Sequence, residues 1–135
     1  MPNENKTLYG IYSKTIDITY KNEMLDDMSK WNKVYPERFS ITYDENNNMN
    51  NISMTGSSGW EQLYIPIDTV VGTQYTVTFD YELDSGYSPG SGYNGIGYQA
   101  VTSVPSGNNS SKQLSIGYIP TTVGSDTLSL TFTAT

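Results

Sequence analysis

Three carboxylates, Asp80, Glu82 and Asp84 in the stretch YTVTFDYELD, are the residues of this 135-residue protein best equipped for chemistry. On a β-strand, alternate positions share a face, with neighbours about 6.6 Å apart along the strand. Retaining glycosidases hold two carboxyl groups about 5–5.5 Å apart, so the spacing suggests sugar chemistry without specifying it. Sandwich-fold glycosidases are usually far larger, because walls around the cleft must hold and desolvate the sugar. The expectation is therefore a solvated strand face, with polar contacts to a ligand second and catalysis last. The sequence has no cysteine and no histidine. That removes disulfides, thiol nucleophiles, imidazole bases and the common zinc and copper ligand sets together. The domain is expected not to be an enzyme.

The same residue types raise a metal reading. Calcium takes several oxygen ligands, and loops rich in Asp, Asn and backbone carbonyls supply them. Asp26–Asp27 and the DENNN run at 44–48 have that composition, but neither has the alternate-position spacing of an EF-hand loop. Ordinary polar loops are the favoured reading. The metal ligands stay unassigned, with Asp26 and Asp27 as weak candidates for a structural calcium, and no other cofactor is expected.

Charge narrows the partners. Seven Lys+Arg against 14 Asp+Glu give a net charge of -7, which repels phosphate backbones and anionic lipid surfaces. Neither nucleic acid nor membrane is an expected partner. No stretch approaches the roughly 20 apolar residues of a membrane span, and MPNENKTLYG lacks the basic and apolar regions of a signal peptide. What the sequence has in quantity is tyrosine, twelve residues. Tyrosine offers a flat apolar face with a polar tip at little entropic cost, which suits recognition surfaces.

The aromatic residues divide by context. Trp31 ends MLDDMSKW ahead of a strand and is expected in the core. Trp60 emerges from the polar turn TGSSG and reads equally as a strand-end core residue or an exposed stacking platform. The run ELDSGYSPGSGYNGIGYQ, 82–99, connects two strands and carries Tyr87, Tyr93 and Tyr98 among glycines. Its tyrosines read either as a stacking platform for sugar rings or as a lid folded over the core.

The elements that position these residues are strands. YTVTFDYEL, 75–83, alternates Tyr75, Val77, Phe79, Tyr81 and Leu83 with Thr76, Thr78, Asp80 and Glu82, which marks a half-buried strand with one wet face. TLSLTFTAT repeats the pattern through Leu128, Leu130, Phe132 and Ala134. Weaker alternations occur at Ile16/Ile18/Tyr20, Phe39/Ile41/Tyr43, Ile52/Met54, Leu63/Ile65/Ile67, Ile96/Tyr98/Ala100 and Leu114/Ile116/Tyr118. Turn-forming clusters separate them, which indicates an antiparallel sandwich or barrel. The NEMLDDMSKW segment, 22–31, supports one short helical turn with Asn22 as its N-cap. The length suits one domain over 1–135, with residues 1–8 expected to be flexible.

The order DDMSKWNKV, ISMTGSSGWEQLYIPI and VVGTQYTVTFDYEL resembles the carbohydrate-binding-module-like jelly rolls appended to glycoside hydrolases and found in accessory or distal proteins of bacteriophage tails. Trp31 matches the family's early "gW" element. Gly72, Tyr75, Thr76, Val77 and Phe79 match the strand at its sheet centre. The resemblance spans residues 22–134 and implies an all-β fold, an antiparallel β-sandwich (jelly roll) of about eight strands with one short helical turn. Such modules usually close with a further strand carrying an aspartate, and this sequence stops at Thr135. Either the strand at Ile16–Tyr20 fills that edge or the sequence is a fragment, and the family's calcium site then lacks the strand that completes it.

Together these readings imply a non-catalytic carbohydrate-binding module for a polysaccharide, such as one of a bacterial cell surface, within a phage tail protein or larger enzyme. Its setting would be extracellular or on the virion. Trp60, Tyr87, Tyr93 and Tyr98 would stack on sugar rings, and Gln62, Asp80, Glu82, Asn94 and Gln99 would bond hydroxyls. The alternative is a structural domain of a tail or surface assembly, contacting other subunits and holding no sugar site. A small glycosidase comes last.

Overall fold

A computed structural model describes residues 5–10, 25, 27–55 and 60–135, with the backbone alone for 5–10. The protein is all-β and antiparallel. Among the described residues there are nine strands: β1 (Asn5–Gly10), β2 (Asn32–Val34), β3 (Phe39–Asp44), β4 (Met49–Met54), β5 (Gln62–Val70), β6 (Gln74–Leu83), β7 (Gly97–Val101), β8 (Gln113–Tyr118) and β9 (Gly124–Thr133). Five form one sheet in the order β2-β5-β1-β7-β8, while β3–β4 and β6–β9 form two-stranded ribbons.

The alternating segments of the sequence become the long strands. In β6, Tyr75 and Val77 are buried and Phe79, Tyr81 and Leu83 half-buried, while Thr78, Asp80 and Glu82 are exposed. The expected register holds because a one-residue slip would turn the whole apolar set to water. Tyr75 faces Phe132, Val77 faces Leu130 and Phe79 faces Leu128 across the β6–β9 ladder. This apolar face packs against the large sheet: Tyr75, Val77, Leu130, Phe132 and Ala134 cluster with Ala100 of β7, and Ile67, Tyr98 and Leu114 close around them. The Tyr75 and Phe132 rings stack at 5.7 Å between centroids. The Tyr75 hydroxyl accepts the Val70 N–H at 2.9 Å, which satisfies a polar atom carried into the core.

The strands add to the reading of the sequence. Residues 1–8, expected to be flexible, include the start of β1, whose six residues all pair with β5 and whose Tyr9 also pairs with Val101 of β7. NKTLYG has no strict alternation, so nothing marks it as a strand until the sheet supplies its partners. The strand expected after Trp31 is short: β2, Asn32–Val34, has only three residues, paired with Gln62–Tyr64. Within the segment 22–31, expected to hold a helical turn, Leu25 is helical and Met28–Lys30 form a 3-10 turn capped by Asp27, whose carboxylate accepts the Ser29 N–H at 3.0 Å. Trp31 follows it and is buried, as expected, with its indole N–H donating to the Leu25 carbonyl at 3.1 Å. The expected strand at Ile16–Tyr20, the cap Asn22 and the metal candidate Asp26 lie outside the described residues.

Candidate functional site

The glycine-rich connection between β6 and β7 is an ordered loop, and its tyrosines divide the work. The Tyr87 N–H donates to the Thr121 carbonyl at 3.0 Å. The Tyr87 hydroxyl accepts the Ile96 N–H at 2.8 Å and lies 3.5 Å from the Ile119 carbonyl. This one residue therefore fastens the loop to its own far end and to the β8–β9 connection. The fastening requires glycine at 95. A Cβ there would stand 2.5 Å from the Tyr87 hydroxyl, and the backbone has φ +105, a region L side chains rarely adopt.

Tyr93 does the opposite. Its N–H closes a turn onto the Gly90 carbonyl at 3.0 Å, and its ring edge rests against Gly90. The side chain is 64% exposed, equal with Val123 as the most exposed large apolar residue described. An open groove runs beside the loop, lined by Gly86, Tyr87, Ser88, Thr121, Thr122 and Val123. Asn94 is exposed on the same loop. Tyr98 is half-buried on β7, edge-on to Phe79 with centroids 5.0 Å apart. Its ring lies across Gly117, where a Cβ would come within 2.3 Å of the ring. Tyr98 is thus a flank of the core, and Gln99 beside it is half-buried in the strand.

The remaining candidates belong to other surfaces. Trp60 is 39% exposed just before β5. Gln62 has both ends of its amide engaged: it donates to the Gly107 carbonyl at 3.1 Å and accepts from the buried Asn109 amide at 2.6 Å. Asn109 also accepts the Ser106 N–H at 2.9 Å. Gln62 and Asn109 therefore hold the β7–β8 connection to the start of β5. Asn109 sits in PSGNNSSK, whose composition signals only a turn, and no sequence feature separates it from Asn108.

Asp80 and Glu82 stand on the wet face of the β6–β9 ribbon, which is a ladder of paired polar side chains. Thr76 bonds Thr131 at 2.9 Å, Thr78 bonds Ser129 at 3.1 Å, and Asp80 accepts from the Thr127 hydroxyl. Asp80 and Glu82 are exposed on this face among the described residues.

The acidic loops are occupied by local structure. Asp27 accepts from the Ser29 hydroxyl and N–H, which holds its carboxyl below the usual range. Asp44 accepts the Asn46 N–H at 2.9 Å, the Asn47 N–H at 3.3 Å and the Asn47 amide at 2.8 Å, so DENNN is the turn of the β3–β4 hairpin. Among the described residues no group of three or more acidic side chains is placed to hold a metal ion. Sequence reasoning missed Arg38, the only arginine of the sequence. It pairs with Glu61, whose side chain is 3% exposed, and stacks 4.6 Å over the Tyr35 ring. A lone arginine followed 23 positions later by a glutamate carries no pattern that sequence could have shown.

Comparison with known proteins finds no matching family model, no matching curated protein and no matching solved structure.

Proposed function

We propose that this protein is a non-catalytic jelly-roll module that binds a polysaccharide through the β6–β7 loop, with the Tyr93 ring as its stacking surface. The observation that carries the reading is the split between the two loop tyrosines. Tyr87 is spent on fixing the loop, and the fixed loop then holds Tyr93 out to water. An exposed aromatic on a pre-ordered loop binds without the entropic cost of ordering it. Asn94 and the Ser88, Thr121 and Thr122 hydroxyls beside the groove are suited to sugar hydroxyls. A phage tail or a larger enzyme acting at a bacterial surface is the setting suggested by the resemblance to carbohydrate-binding modules.

Charge selects among glycans. Residues 39–135 contain eight carboxylates and one cation, Lys112. A polyanionic glycan would meet repulsion from this excess of carboxylates, so the ligand is a neutral polysaccharide. A glycan array with neutral and acidic cell-wall polysaccharides tests this, with Tyr93→Ala beside the wild type. Binding of neutral glycans that disappears in Tyr93→Ala is the expected result. Binding that Tyr93→Ala leaves intact would refute the site, and no binding at all would refute the function.

One observation favours the second reading, a structural domain within an assembly. Phe39, Ile41 and Tyr43 share a face of the β3–β4 ribbon with Ile52 and Met54. Tyr43, Ile52 and Met54 are 54%, 48% and 47% exposed. An apolar face of this kind is a surface that a protein partner could cover. Sedimentation across a concentration series distinguishes the two readings, since self-association without glycan binding would favour the structural role.

A further inference from the structure

We infer that Asn94 is a self-modifying site, at which the protein turns its own asparagine into aspartate and isoaspartate and so releases the Tyr87 fastening. The chemistry needs an asparagine amide, a following backbone nitrogen able to reach it, and no obstruction between. In the reaction the Gly95 nitrogen, its proton passing to solvent base, attacks Asn94 Cγ. A new C–N bond closes a five-membered succinimide as the Cγ–Nδ2 bond breaks and ammonia leaves. Water then opens the ring at either carbonyl, giving aspartate or isoaspartate, with no oxidant or reductant required.

The loop leaves this path open. Asn94 is exposed and precedes a glycine, which has no side chain to hinder the attack. The pair lies before β7 begins at Gly97, outside the sheet ladder. Flanking amides are tied down: Tyr93 N–H to Gly90 and Ile96 N–H to the Tyr87 hydroxyl. Among the described residues neither the Asn94 amide group nor the Gly95 N–H has a hydrogen-bond partner, so the nucleophile and its target are the free groups of the segment. Asn109, before the small Ser110, is the internal contrast. It is buried, and its amide is held from both ends by Gln62 and the Ser106 N–H.

The product matters because of what adjoins it. Isoaspartate inserts an extra methylene into the backbone immediately before Gly95, where even a Cβ would stand 2.5 Å from the Tyr87 hydroxyl. The Ile96 N–H to Tyr87 bond cannot keep its geometry through that insertion. The aspartate product keeps the spacing but adds a negative charge beside Tyr93.

The test incubates the intact protein in mildly alkaline buffer, folded and in urea, and follows each asparagine by peptide mass mapping with isoaspartate-specific methylation. In the folded protein Asn94 should convert many-fold faster than Asn109, and urea should accelerate Asn109 while changing Asn94 little. Hydrogen exchange at the Ile96 amide should be faster in the isoaspartate fraction than in unmodified protein, and Asn94→Gln should abolish the early mass change. An Asn94 that stays intact in the folded protein, or that urea accelerates as strongly as Asn109, would overturn the inference. Unchanged Ile96 exchange in the isoaspartate fraction would overturn the release of Tyr87.

Discussion

Tyr87 and Tyr93 are six positions apart on one loop, and the contacts of each make opposite predictions for it. Tyr93→Ala removes a ring that is mostly in water, so stability should stay within about 0.5 kcal/mol of wild type, as is usual for surface positions. Glycan binding should be lost. Tyr87→Phe removes only the hydroxyl that accepts the Ile96 N–H, and should cost about 0.5–1.5 kcal/mol. Urea unfolding of both variants checks the pair. A Tyr93→Ala loss as large as a core truncation would make Tyr93 part of the fold and end its role as a platform. The sequence showed that these tyrosines needed explaining and left both readings open, platform and lid. It could not separate them, because the partners of the Tyr87 hydroxyl, Ile96 and Ile119, are fixed by tertiary packing and not by spacing.

At the scale of elements, legibility followed the presence of a face. β6 and β9 were readable because each has one wet and one dry side, and alternation records that division. β1 was not readable, since its place between β5 and β7 is a property of the sheet and NKTLYG has no alternation to report it. The same logic sets the cost of mutation. Phe132→Ala empties a buried site and should cost about 3–5 kcal/mol, whereas Phe79, half-buried against the core, should cost clearly less. Thermal melts of the two rank them, and equal losses would mean that the ribbon is more deeply covered than its exposure indicates. The β3–β4 hairpin adds a pH dependence. Hydrogen bonds from the Asn47 amide, the Asn47 N–H and the Asn46 N–H favour ionised Asp44 and lower its pKa in the folded state from 3.8. A depressed folded-state value means that the contribution is complete above the unfolded value and is lost as pH falls through the folded one. Exchange protection of the Asn46 and Asn47 amides should therefore fall in acid below that range. In Asp44→Ala it should be low at every pH, and an acid-insensitive wild-type turn would show that Asp44 does not hold it.

Over the whole molecule, charge is divided unevenly along the sequence. The first 38 residues hold six carboxylates and six cations, while residues 39–135 hold eight carboxylates and only Lys112, so the entire net charge of -7 arises there. That portion includes the β6–β9 ribbon, where Asp80 and Glu82 stand on the open face, and the loop with Asp84 at its start. An excess of like charges on one folded molecule repels itself, and salt screens the repulsion over a Debye length of about 10 Å at 0.1 M. Added sodium chloride should therefore raise the melting temperature from its low-salt value, the reverse of what a fold resting on surface ion pairs would do. The same field acts on ligands. Binding of a neutral glycan to the Tyr93 loop should be nearly independent of salt, because stacking and hydrogen bonds to hydroxyls carry no long-range charge term. An acidic glycan, if it bound at all, should do so only as salt rises. Titrations by tryptophan and tyrosine fluorescence at low and high ionic strength measure both. Tight low-salt binding of an acidic glycan, weakening as salt is added, would require a cationic site that residues 39–135 cannot build from Lys112 alone, and would move the binding surface to the first 38 residues.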